Sequence, residues 1–181
     1  ANIHEKDEHD LTPLHFSAYK GHADVSKLLL SHSTASVNEK DNDGYTALHY
    51  SAIKGDADVS KLLLENGANV NEKDEYGWTA LHFSARNGHA DVSKVLLENG
   101  ANVNAVDKSK STPLHRAAYW RHIDVIKLLM MNGANVNALD NEGLSPLHHA
   151  AKRGMLDTMQ ILIMNGANVN VLSKENESPM S

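Results

Sequence analysis

Thr46-Ala47-Leu48-His49 and Gly67-Ala68-Asn69-Val70-Asn71 are the two blocks whose recurrence decides how this chain folds. The first returns as Thr12-Pro13-Leu14-His15, Thr79-Ala80-Leu81-His82, Thr112-Pro113-Leu114-His115 and Ser145-Pro146-Leu147-His148, in steps of 34, 33, 33 and 33 residues. The second returns at Gly100, Gly133 and Gly166. Its degenerate first copy, Ser33-Thr34-Ala35-Ser36-Val37-Asn38, carries the one extra residue behind the step of 34. A fixed period of this length marks a stack of like units rather than a domain built around one centre.

One unit can be read from its own residues. Thr46 predicts a helix N-cap, followed by Leu48 and Ala52 on an apolar face and Gly55 as a stop. Pro13, Pro113 and Pro146 sit directly after the cap, in the first turn, where a missing N–H costs little. A second helix follows, with Asp58 in its first turn and Val59, Leu62 and Leu63 at i, i+3 and i+4. Asn66-Gly67 ends a run of helical period, so Gly67 reads as a left-handed C-cap rather than a hairpin turn. Two short helices cannot bury both faces alone, so neighbouring units must stack.

Period and tetrads together resemble the ankyrin-repeat family over nearly the whole chain. The resemblance implies an all-α solenoid of helix-turn-helix units, joined by β-hairpin-like loops and curved around a concave groove. The repeats are expected at 7–40, 41–73, 74–106, 107–139 and 140–172 of a single array spanning 1–181. Residues 1–6 read as the tail of a missing upstream repeat and 173–181 as the start of a truncated sixth, so the chain is expected to be a segment of a longer protein. Gly44, Gly77 and Gly143 keep the Asp-x-x-Gly turn of the hairpin. Asp10 and Lys110 replace its glycine, and those two tips are expected to be distorted.

Seventeen Lys+Arg against 23 Asp+Glu leave a net charge of −6, with residues 1–90 holding 8 basic and 14 acidic side chains. That balance excludes a general nucleic-acid binder, which needs a basic face to displace counterions from phosphates. There is no cysteine, which removes thiolate chemistry and suits an intracellular compartment, cytoplasm or nucleus. No apolar run approaches the ~20 residues of a membrane span, so direct membrane insertion is not expected.

Of twelve histidines, five belong to the tetrads (His15, His49, His82, His115, His148), and the resemblance makes them buried and bonded to the capping Thr and to neighbouring backbone. His22, His89 and His122 follow a helix-ending Gly or its equivalent. The remaining His4, His9, His32 and His149 show no metal-ligand spacing, so no metal site is expected. No nucleophile elbow, P-loop or dinucleotide fingerprint appears. Asp24, Asp58, Asp91, Asp124 and Asp157 recur at helix starts and read as caps. The chain is therefore expected to be no enzyme and to carry no cofactor.

The aromatic residues carry the functional expectation. Phe16, Tyr50 and Phe83 share one position after the tetrad His and read as packing. The resemblance places Tyr45, Tyr76 and Trp78 at hairpin tips and Tyr19, Tyr119 and Trp120 at the ends of first helices, both facing the groove. Ile53, Arg86 and Arg153 complete the candidate protein-binding set. The competing reading is that each aromatic only covers its neighbour's hairpin. Basic residues alternate with the tip acids Glu8, Asp43, Glu75 and Glu142, a mixed rim better suited to a protein than to a phosphate polymer. The leading expectation is a non-catalytic scaffold binding a partner protein over repeats 2–4, with nothing that calls for a homo-oligomer. The alternatives are a regulatory or substrate-recognition arm of a larger enzyme, channel or effector, or a small-ligand sensor. The resemblance further implies possible asparagine hydroxylation at Asn71, Asn104 and Asn137, against a structural role for the same amides.

Overall fold

The computed structural model describes residues 5–32, 37–175 and 178–180 and is all-helical, with ten helices and no strand among them. The helices fall into five successive pairs: α1 (Pro13–Lys20) with α2 (Ala23–His32), α3 (Ala47–Lys54) with α4 (Ala57–Glu65), α5 (Ala80–Asn87) with α6 (Ala90–Glu98), α7 (Pro113–Trp120) with α8 (Ile123–Met131), and α9 (Pro146–Lys152) with α10 (Leu156–Met164). This is a helical solenoid. The loop block 33–36, His4 and residues 1–3 lie outside the described residues.

Each first helix starts on a reciprocal cap. The tetrad Thr or Ser side chain faces the N3 backbone, and the N3 His side chain takes the cap residue's own N–H. At His49, Nδ1 accepts from the Thr46 N–H at 2.9 Å, so the proton sits on Nε2, which donates to the Glu72 carbonyl at 3.0 Å. His15, His82 and His115 repeat this onto Glu39, Ser111 and Leu144. One buried ring thus closes a helix start and fastens the next hairpin. Burial drives His49, His82 and His115 down to about 4, so each ring is neutral at pH 7.

The second helices start differently. Asp24, Asp58, Asp91, Asp124 and Asp157 lie inside the first turn rather than at the N-cap, so their contribution is to the helix dipole, a correction to the capping role read from sequence. In α4 the capping bond comes instead from Asp56, which accepts from the Val59 N–H at 2.9 Å. Helices α4, α6, α8 and α10 are each followed by a left-handed glycine; at α4, Gly67 N–H donates to Leu64 and Ala68 N–H to Leu63, the paired bonds of a Schellman stop.

Packing follows from residue size. Ala18, Ala52, Ala85, Ala118 and Ala150 are fully buried on the first helices, and Leu48, Leu81, Leu114 and Leu147 fill the space beside them. Small residues let the first helices approach over more of their length than the second helices do. The stack therefore closes toward the first-helix side. Within pairs, Ser17–Ser26, Ser51–Ser60 and Ser84–Ser93 meet as buried hydroxyl pairs at 2.7–2.9 Å. The equivalent positions in the last two pairs are Ala117 with Ile126 and Ala150 with Met159. Between pairs, the His89 ring lies against Gly55, where an added Cβ would fall 2.5 Å from its Nδ1. Gly55 is also left-handed, at φ +84°, so both space and backbone require glycine there.

The hairpins interlock edge to edge. Glu75 N–H donates to Asp43, Lys108 to Tyr76, Asn141 to Ser109 and Lys174 to Glu142. Asp10 and Lys110 do not distort their tips, contrary to the expectation from sequence. They hold φ +62° and +57°, and each closes the same turn onto Asp7 or Asp107 that Gly44 closes onto Asp41. The fold imposes the left-handed conformation on residues that resist it.

Candidate groove between the hairpin tips and the first helices

The turn aspartates set the geometry of this face. At Asp41, Asp74, Asp107 and Asp140, Oδ1 accepts the N–H groups two and four residues on, an Asx-type brace at 2.8–3.0 Å. The second oxygen meets whatever stands nine residues further along, on the first helix. Tyr50 donates its hydroxyl to Asp41, Arg116 pairs with Asp107, and His149 bonds Asp140 at 2.8 Å. At Asp74 that position is Phe83, and Oδ2 is buried with no partner. The pKa directions follow. At Asp140 burial opposes the charge, yet the His149 bond and the Leu144 and Glu142 amides hold the carboxyl below its usual value. At Asp74 burial prevails over the Trp78 and Tyr76 amides, and the carboxyl is pushed up.

This register was not read from the sequence, although Tyr50, Phe83, Arg116 and His149 do recur nine residues after a turn aspartate. Phe83 is packing as expected, edge-on to Tyr45 at 5.4 Å and against Trp78 at 4.9 Å. Tyr50 is half-buried through its carboxylate bond. Phe16, expected to pack, is 47% exposed, a correction: it lines a shallow apolar pocket with Leu11, Tyr19 and Tyr50.

The candidate binding residues divide by depth. Tyr76 is 61% exposed and Trp120 42%, while Tyr45 and Trp78 are half-buried, spending part of their area under the hairpins. Two adjoining pockets join most of them. One, of about 240 Å³, is lined by Tyr45, Asp74, Tyr76, Trp78, Phe83 and Arg86. The other, of about 380 Å³, shares Trp78 and Arg86 and adds Arg116, Tyr119, Trp120 and His149 among its walls. Guanidinium groups lie over the rings: Arg116 at 4.5 Å and Arg86 at 5.7 Å from Trp78, Arg153 at 4.9 Å from Tyr119 and 5.5 Å from Trp120. Neither Arg86 nor Arg153 has a carboxylate partner among the described residues. Tyr19 stands apart, edge-on to Tyr50 at 5.8 Å, and Ile53 is half-buried against the core.

His115, Asp140 and His149 bring ligand-type atoms within 4.8 Å of one another. They do not make a metal centre, because His115 Nδ1 takes the Thr112 N–H and Nε2 donates to Leu144, leaving that ring no free lone pair. Asn71, Asn104 and Asn137 lie away from the pockets and have their amides engaged on both sides. Asn71 donates to Gly100 at 3.2 Å and accepts from the Asn102 N–H at 2.7 Å, and the other two repeat the pattern. No helix among the described residues is long and apolar enough to cross a membrane.

A family model for ankyrin repeats in three copies matches residues 1–74, 71–140 and 106–174. A search of curated proteins returns no match.

Proposed function

The chain belongs to the ankyrin-repeat family, whose members are generally protein–protein interaction modules and typically non-catalytic, and on that premise we propose that it is a non-catalytic scaffold binding a partner protein along the groove. The repeats that carry the site are those drawn at 41–73, 74–106 and 107–139. The observation behind this reading is the pair of adjoining pockets that share Trp78 and Arg86, walled by aromatic and arginine side chains. These are the residue types that dominate interface energetics, and a guanidinium already held over an indole loses little freedom on binding. Arg86 and Arg153 reach the groove with no counter-ion among the described residues, so an acidic side chain of the partner gains a charge-assisted bond there without displacing one of those.

Tyr76 and Trp120 are the cleanest probes, because Trp78 is half-buried and its loss would also disturb Arg116 and Phe83. A polypeptide selected from a displayed library on the immobilised chain, then titrated against folded Tyr76→Ala/Trp120→Ala, is expected to bind at least tenfold more weakly, ~1.4 kcal/mol. The melting temperature is expected to move little. Unchanged affinity in the folded double variant would remove this face from the binding site.

A further inference from the structure

Asp74 departs from the pattern set at Asp41, Asp107 and Asp140. Three turn aspartates have the second carboxylate oxygen satisfied by the side chain nine residues on, as a hydroxyl, a guanidinium or an imidazole. Asp74 is only 7% exposed, has Phe83 at that position, and keeps Oδ2 without a partner. A buried carboxylate oxygen left bare is costly, and groups of this kind are few in native structures. Asp74 also lines the smaller pocket, together with Tyr45, Tyr76, Trp78, Phe83 and Arg86.

We propose that this pocket receives the ammonium group of a lysine on the partner polypeptide, which would rest on the groove reading above and give that partner a basic anchor. Four aromatic rings around a carboxylate combine the two features that favour a desolvated cation, ring faces of negative quadrupole and a formal negative charge. The surroundings carry the same sign: Asp43 and Glu75 stand at the two hairpin tips beside it, and residues 1–90 hold 14 acidic against 8 basic side chains. Volume points to a single side chain as occupant. At about 240 Å³ the pocket falls below the ~300–1,000 Å³ of sites that enclose a whole small ligand. Arg86 is the opposing charge in the pocket wall. Its guanidinium lies over Trp78 and makes no bond to Asp74, so it weakens a bound ammonium without satisfying the carboxylate. The raised pKa of Asp74 agrees in direction, since a cation in the pocket would bring it back down.

The first probe is n-butylammonium, which carries the lysine stem and charge, with n-butanol as the neutral control and the Trp78 and Trp120 indole N–H resonances of isotope-labelled protein as reporters. The amine is expected to shift the Trp78 signal saturably and the alcohol is not. Phe83→Tyr, which offers Asp74 the hydroxyl that Tyr50 gives Asp41, is expected to weaken amine binding at least tenfold, as is Asp74→Asn. Arg86→Met is expected to tighten it. A lysine pentapeptide against its norleucine counterpart distinguishes the source: the lysine peptide binding more tightly than the bare amine supports a polypeptide anchor. Equal response to amine and alcohol, or unchanged amine affinity in folded Phe83→Tyr, overturns the inference. These probes do not need the Trp120 pocket. Their failure leaves the groove reading to its own test, and failure of the Trp120 variant leaves this one to its own.

Discussion

The position nine residues after each turn aspartate is a natural substitution series within one chain. Tyr50 and Phe83 differ there by a hydroxyl, on rings in the same register. Tyr50→Phe is expected to leave Asp41 as bare as Asp74 is now, at a cost of about 1.5–3 kcal/mol, the range for bonds to charged groups. Phe83→Tyr is expected to stabilise by about 1 kcal/mol or more, provided the hydroxyl reaches Oδ2. Urea unfolding midpoints of the two variants test the pair, and opposite signs are the expected result. Midpoints that do not move would show that the carboxylates are satisfied by solvent. His82→Ala removes both the helix cap and the bond to Ser111, so it is expected to destabilise by more than either exchange.

At the level of elements, the helix pairs carry their own control. Ser84 and Ser93 bond within the third helix pair, and Ala117 and Ile126 replace both partners one period later. Ser84→Ala alone is expected to leave the Ser93 hydroxyl short of a partner and to cost about 1–3 kcal/mol, whereas Ser84→Ala/Ser93→Ile reproduces an existing pair and is expected to recover most of that. A double-mutant cycle on thermal or urea unfolding gives the coupling, expected at ~1 kcal/mol or above, and additivity would contradict the exchange. Such pairs also explain what was legible beforehand. Thr46, Leu48, Gly55 and Gly67 announced caps, core and stops because each acts through its own neighbours in sequence. The carboxylate register was less legible because its partners lie nine residues apart on different elements, and because the residue opposite Asp74 is a phenylalanine with nothing polar to notice. Asp10 and Lys110 misled for the opposite reason: local propensity argued against the turn, and the tips still hydrogen-bond to the next hairpin at His9 and Ser109.

Across the whole molecule, the repeated histidine turns a local feature into a pH dependence. His49, His82 and His115 fall from 6.5 to about 4 on folding, chiefly through burial. The unfolded chain therefore binds more protons than the folded one between those values, and stability rises with pH there. Each ring contributes stability that is complete above pH 6.5 and is lost as pH falls toward 4, on the order of 3 kcal/mol apiece. Three such rings approach the ~5–15 kcal/mol that holds a typical domain together. Asp74 acts with the opposite sign, since its raised pKa favours the fold at low pH, but it is one group against three. Glu72 and Asp140, held low, add their loss only below the normal carboxylate range. The urea midpoint is therefore expected to fall steadily from pH 6.5 downward, well before carboxylates titrate, and unfolding without denaturant is expected near pH 4–5. His82→Gln is expected to lower the midpoint at pH 7 and to flatten its slope between pH 6.5 and 4. A midpoint that stays level from pH 7 to 5 in the parent chain would mean that the rings take up protons without leaving their places, and that the helix starts do not require Nδ1 to accept the Thr N–H.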